Sequence, residues 1–368
     1  MSTLNRRYDI DWIRVIAIGL LLVYHVAIGF QPWGMLIGFI TNPQPWNSLW
    51  YPMAMLNVWR IPLLFFVSGM GVYFSIRNRN WKQLLAERTL RIFIPFLFGL
   101  LVIVPVSSWL FLSYYKLPFN YTVNPGHLWF LGNIFIYVLL LFPLFFFLEK
   151  NREKPWAAFI RKAFSSYPGY LLVLTLFIAE VSLIKPVPYE LYAMTKHGFF
   201  LGLIAFFSGF CGVWTGINFW TGLLKRRWLF LSIALLLYGW RLRQSQMKVP
   251  DVLLVIESLS WIFSVFAFGS KYLNRPGKLL NYLSQAAYPV YIIHMIFLEL
   301  ASRILFPLSI NVYLKFWICL MVTIGGCLLF YEFVIRRVGI LRPLFGLKPK
   351  DRRIKPGLPL KDLQGAAA

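Results

Sequence analysis

Arg14 and His25 stand eleven residues apart in "DIDWIRVIAIGLLLVYHV", an otherwise apolar stretch from Asp9 to Val26. Eleven helical steps fall within about 20° of three full turns, so a helix here sets both side chains on one face, about 16 Å apart along its axis. An arginine in the middle of a lipid-spanning helix costs roughly 2.5–3.5 kcal/mol on the insertion scale, so its presence calls for a purpose. Asp11, three residues before Arg14 on the same face, can hold the guanidinium. The stripe offers a fixed cation near one membrane face and a titratable base at depth. The plain alternative is an arginine that snorkels to the headgroups and a histidine that only packs. It suits Arg14 better than His25, because imidazole finds few partners in lipid.

Other polar groups interrupt apolar runs. His294 lies in "AYPVYIIHMIF", with Tyr291 one turn away, at a depth similar to that of His25. The pair can line a cavity with His25 or form a packing layer. Arg60 lies in "VWRIPLLFFVSGM", where Pro62 frees a backbone carbonyl one turn earlier. It is either a cation facing a cavity or an arginine bound to that carbonyl. Glu180, Glu257 and Glu299 are candidate counter-ions that sequence alone does not pair. Arg88 and Arg91, three residues apart, can hold phosphate in their forks or simply mark the cytoplasmic side. Cys211, Cys319 and Cys327 have no metal-ligand spacing, and no metal is expected. Walker A, Gly-x-Ser-x-Gly, His-Glu-x-x-His and dinucleotide fingerprints are absent.

The elements that carry these residues are membrane helices. Of 368 residues, 59% are hydrophobic and 14% charged, and runs of about twenty apolar residues, long enough to span a bilayer, recur throughout. Ten segments are expected, at 12–30, 49–76, 92–115, 127–148, 168–184, 197–220, 228–240, 252–269, 284–305 and 312–335. The fold class is all-α and polytopic: a membrane domain over 1–340 and a basic cytoplasmic tail over 341–368. The seventh segment is short, and Arg226, Arg227 and Arg241 are expected to snorkel and extend it. The first run has no cleavage site and should stay as a helix. With the N-terminus inside, 27 of the 37 Lys and Arg lie in cytoplasmic stretches and 7 outside, which sets N-in, C-in. The +24 charge is therefore a topology signal and a contact for anionic lipid, not a sign of nucleic acid. "FFVSGM" and "FFSGF" echo each other without making a repeat.

Taken in order, these motifs resemble the integral-membrane acyltransferase 3 family, the O-acyltransferases of surface polysaccharides, and within it the glucan-succinylating branch. The likeness rests on Asp11, Arg14 and His25; on "WRIPLLFFVSGM" with Arg60, Phe65, Phe66, Ser68 and Gly69; on Arg88 and Arg91; on "HLWFL" from His127 to Leu131; and on "YPVYIIH" with Tyr291 and His294. It covers residues 8–297. The resemblance implies transfer of an acyl group, such as acetyl or succinyl, from cytoplasmic acyl-CoA to a carbohydrate hydroxyl at the outer face of the cell inner membrane. Under it, His25, Asp11, Tyr291 and His294 are catalytic, with Tyr291, His294 or Ser68 as oxyanion donors. Arg14, Arg88 and Arg91 hold the coenzyme, and Arg60, Ser68, His127 and Trp129 meet the acceptor, with Trp59 as a further stacking surface. Donor, glycan acceptor and membrane lipids are the partners; no nucleic acid is among them. The family's soluble hydrolase-like extension is missing from this sequence.

A transporter or flippase, and a scaffold without catalysis, are the competing classes. A transporter predicts paired broken helices in two similar halves, which the sequence does not show. A scaffold has no need of two histidines at one depth.

Overall fold

A computed structural model describes residues 6–349, and these are helical without strands. Lipid offers no hydrogen bonds, so each apolar run satisfies its own backbone as a helix. In chain order they are α1 (Tyr8–Ile28), α2 (Trp50–Ile76), α3 (Trp81–Tyr114), α4 (Trp129–Lys150), α5 (Pro155–Phe164), α6 (Tyr167–Ile184), α7 (Lys196–Trp214), α8 (Ile217–Lys225), α9 (Arg227–Leu242), α10 (Asp251–Tyr272), α11 (Lys278–Leu305) and α12 (Val312–Ile335). Nine helices among the described residues are long and apolar enough to cross a membrane: all but α5, α8 and α9.

The expected tenth span, α9, has 16 residues, about 24 Å of helix against a hydrocarbon core of about 30 Å. Its Arg241 does not snorkel. It is 1% exposed, 2.8 Å from Glu257 of α10 and 3.3 Å from Glu190. The ion pair locks α9 to α10 rather than extending it.

The centre is α2, 78% buried over its apolar window, with α7 and α10 at 72%. α2 crosses α7 where the two sequence echoes meet. A Cβ on Gly69 would strike the Phe206 carbonyl oxygen, and one on Gly209 the Phe66 carbonyl oxygen. The echo is one reciprocal close crossing of small residues. α3 widens into π turns at Thr89–Phe93 and Gly99–Ile103. Each lies just before a proline, Pro95 and Pro105, which cannot donate to the preceding turn and crowds its carbonyl.

The chain beyond position 340 is not all tail. Phe345 is buried against Phe98, and Leu347 also packs on the core. The basic stretch over 350–368 lies outside the described residues.

Candidate active site

α1 and α11 bring His25 and His294 together. Their rings stack with centroids 5.0 Å apart, and His25 Nδ1 lies 2.7 Å from His294 Nε2. His294 Nδ1 is 2.7 Å from the carbonyl oxygen of Tyr291, one turn back on α11. A carbonyl only accepts, so His294 carries its proton on Nδ1 and, when neutral, its Nε2 is an acceptor. The shared contact then requires His25 to donate from Nδ1, leaving His25 Nε2 with an open lone pair. Two hydrogen bonds thus fix one tautomer and one ring orientation, which is how a general base is prepared. His294 is fully buried, whereas His25 retains some exposure.

His127, just before α4, joins the pair edge-on, 5.0 Å from the His294 ring. Its Nε2 donates to the Ile292 carbonyl at 3.0 Å, and the Tyr291 hydroxyl donates to the His127 carbonyl at 2.5 Å. These crossed bonds tie the entry to α4 onto α11.

Arg60 of α2 is 1% exposed and has no carboxylate partner among the described residues. Its guanidinium lies 4.1 Å from the Tyr24 ring centroid, its Nη1 reaches the Leu20 carbonyl at a long 3.4 Å, and its Nε is unpartnered. The acids expected as counter-ions are engaged elsewhere. Glu180 holds His197 at 3.0 Å, Glu257 holds Arg241, and Glu299 accepts from the Ile40 amide at 3.4 Å. The carbonyl freed by Pro62, that of Val58, accepts from Tyr192 Oη at 2.9 Å, so it is not the partner of Arg60.

Antiparallel packing of α1 and α2 repeats the eleven-residue interval. Arg14 and His25 line α1; Arg60 and Gly71 line α2 in the opposite sense. Arg14 meets Gly71, where a Cβ would stand 3.8 Å from its Nη2. At this end a cleft of about 580 Å³ is lined by Arg6, Arg7, Arg14 and Arg77 among others. Arg88 lies beside it, donating from Nη2 to Ser75 Oγ at 2.6 Å and to the Gly71 carbonyl at 3.2 Å. Arg14 and Arg88 therefore converge on Gly71. Arg91 pairs with Glu87 at 3.3 Å and does not line the cleft.

A family model described as an acyltransferase domain matches residues 7–332. The chain belongs to the acyltransferase 3 family. No curated protein and no solved structure matches it.

Several residues expected in this acyltransferase's site stand differently in the structure. Asp11 is fourteen residues from His25 on α1, about 21 Å away. It binds Arg6 at 2.8 Å and Arg14 at 3.7 Å, so it shapes the cleft and does not touch the histidines. The three expected oxyanion donors are already engaged: Ser68 Oγ donates to the Leu64 carbonyl at 2.7 Å, the Tyr291 hydroxyl to His127 and His294 Nδ1 to Tyr291. Trp129 packs edge-on against Phe65. Trp59 stacks near Trp261 and lines an apolar groove between α1, α2 and α10, away from any polar surface suited to sugar.

Sequence reasoning missed Tyr24, Gly71 and Phe39. Tyr24 bridges Arg60 and His25, its ring centroid 5.9 Å from that of His25. Phe39, in the segment joining α1 to α2, packs 5.6 Å from the His25 ring. Tyr24 is adjacent to His25 in sequence and was open to notice. Gly71 is one glycine among 25, and only the helix pairing singles it out.

Proposed function

We propose that this acyltransferase moves an acyl group, such as acetyl or succinyl, from cytoplasmic acyl-CoA to a carbohydrate hydroxyl at the outer face of the inner membrane. The observation that carries this reading is the hydrogen-bonded pair of His25 and His294, which leaves an open lone pair at His25 Nε2. The bias of Lys and Arg puts the Arg14 end inside. Polyanionic coenzyme A suits the arginine-lined cleft there. If Arg14 holds a phosphate, the thioester reaches His25 through about 16 Å of protein, comparable to a pantetheine arm.

His25 Nε2 takes the acceptor's hydroxyl proton as its oxygen attacks the thioester carbonyl. The tetrahedral oxyanion collapses, the C–S bond breaks, and the imidazolium returns the proton to the leaving thiolate. The products are the ester and free coenzyme A. Arg60, with an unpartnered Nε and no counter-ion, is the cation suited to the oxyanion in place of Ser68, Tyr291 and His294.

The test uses sealed vesicles of known orientation, with labelled acetyl-CoA or succinyl-CoA on one side and oligosaccharide on the other. Transfer is expected only with donor on the Arg14 side and acceptor opposite. Transfer with both substrates confined to one side contradicts the through-protein route. No transfer in any arrangement contradicts this donor and acceptor pairing.

A further inference from the structure

A ladder of rings leads away from the base. Tyr24, beside His25, lies 5.6 Å from Trp50, the first residue of α2. Trp50 in turn meets Trp33 at 4.6 Å and 82°. Trp33 and Trp50 are only partly buried, and neither indole N–H is hydrogen-bonded among the described residues. Other tryptophans behave differently: Trp228 and Trp317 are 61% and 58% exposed, as an interfacial belt requires. Trp33 and Trp50, by contrast, are partly buried and pack edge to face at nearly a right angle.

That corner is held firmly. Trp33 belongs to the short Pro32–Ile37 turn, closed by left-handed Gly38 at φ 86°. The turn is pressed against the end of α1, where a Cβ on Gly34 would come within 2.5 Å of the Ile28 carbonyl. Downstream, the Asn42 amide donates to the Gly29 carbonyl at 2.8 Å, the Thr41 amide to Tyr115 Oη at 3.0 Å, and buried Lys315 Nζ to Asn42 Oδ1 at 3.1 Å. The loop is a fixed wall that holds one indole edge-on against the other.

We propose that Trp33 and Trp50 form the acceptor subsite, taking pyranose rings against their faces one aromatic ring away from His25. A sugar presents an apolar C–H face to an indole while its hydroxyls stay solvated, and the free indole N–H groups can donate to ring oxygens or hydroxyls. This rests on the acyl-transfer reading above, and it moves sugar stacking from Trp129 and Trp59 to the opposite end of the α1 and α2 pair from the arginine cleft.

The test measures binding apart from turnover. Calorimetry with cellohexaose, laminarihexaose and maltohexaose is run on the full-length wild type and on Trp33→Ala, Trp50→Ala, Trp50→Phe and the exposed control Trp228→Ala. At least one oligosaccharide should bind the wild type. Its affinity should fall roughly fivefold to tenfold in each alanine variant and recover partly in Trp50→Phe. Trp228→Ala and the inactive His25→Ala should bind as wild type does. In turnover the acceptor KM should rise while the donor KM holds. Equal acceptor affinity in wild type, Trp33→Ala and Trp50→Ala, or no binding of any of the three sugars to wild type, overturns the subsite. Sugar binding to the wild type without any transfer by the wild type overturns the acyl-transfer reading instead.

Discussion

Two buried polar clusters in this bundle are built in opposite ways. Between α6, α7, α9 and α10, His197 Nδ1 lies 3.0 Å from both oxygens of Glu180, and Arg241 lies between Glu257 and Glu190. Around α1, α2 and α11, no acid among the described residues bonds to His25, His294 or Arg60. The histidines bond to each other and to a backbone carbonyl, and Arg60 rests on a ring. In the first cluster each cation or imidazole has a carboxylate beside it, and removing one member takes a buried partner from the other. In the second, a lone pair and a cation remain open to whatever enters. Both clusters keep unpartnered buried nitrogens, Arg60 Nε in one and Arg241 Nε and His197 Nε2 in the other; what separates them is that, among the described residues, no carboxylate pairs with Arg60 or with the two stacked histidines.

His25→Ala should break this contrast most sharply. Transfer is expected to fall by about 10²–10⁴-fold while the melting temperature holds, as read by product formation per folded protein. Glu257→Ala should do the converse. Arg241 then keeps only Glu190 at 3.3 Å, and losing its fully buried partner costs up to about 3–5 kcal/mol, seen as early melting in detergent, while molecules that remain folded turn over normally. His294 tests whether orientation matters apart from packing. His294→Ala should slow transfer by roughly tenfold to a hundredfold, whereas His294→Gln, whose amide oxygen can still accept from His25 Nδ1, should lose less. Equal losses in the two variants would leave His294 a packing residue. The smallest effects belong to the cleft. Arg14→Ala should raise the donor KM about tenfold, the size of one charge-assisted contact. Arg91→Ala should change it less than about twofold, since Arg91 is tied to Glu87 in a surface pair. Parallel donor kinetics on the two variants distinguish these outcomes.

Sequence carried the helices and the histidines but not their partners. Apolar length alone sufficed for nine spans; α9, with 16 residues, falls short of that length, and thirteen apolar residues look the same whether or not the helix crosses. Arg241 looked like a residue for the interface, since a charge at the end of an apolar run does not announce a glutamate on the next helix. Arg14, His25, His127 and His294 were visible because polar groups are conspicuous in apolar runs. Which of them touch depends on helix register across the bundle, and a single sequence contains no cross-helix distances. Hence Asp11 was grouped with His25, although one helix holds them far apart. Gly71 and Tyr24 were overlooked because small and aromatic residues are ordinary in membrane helices. The counter-ions were unassignable for the same reason as the register.

The contrast between the clusters comes down to one paired measurement: the initial rate of labelled acyl transfer, normalised to folded protein, in His25→Ala and His197→Ala. His25→Ala should melt like wild type and transfer almost nothing. His197→Ala should melt early, and its folded fraction should transfer at the wild-type rate. A His25→Ala protein that turns over normally, or a folded His197→Ala protein that does not, would contradict the assignment of chemistry to the unpaired cluster.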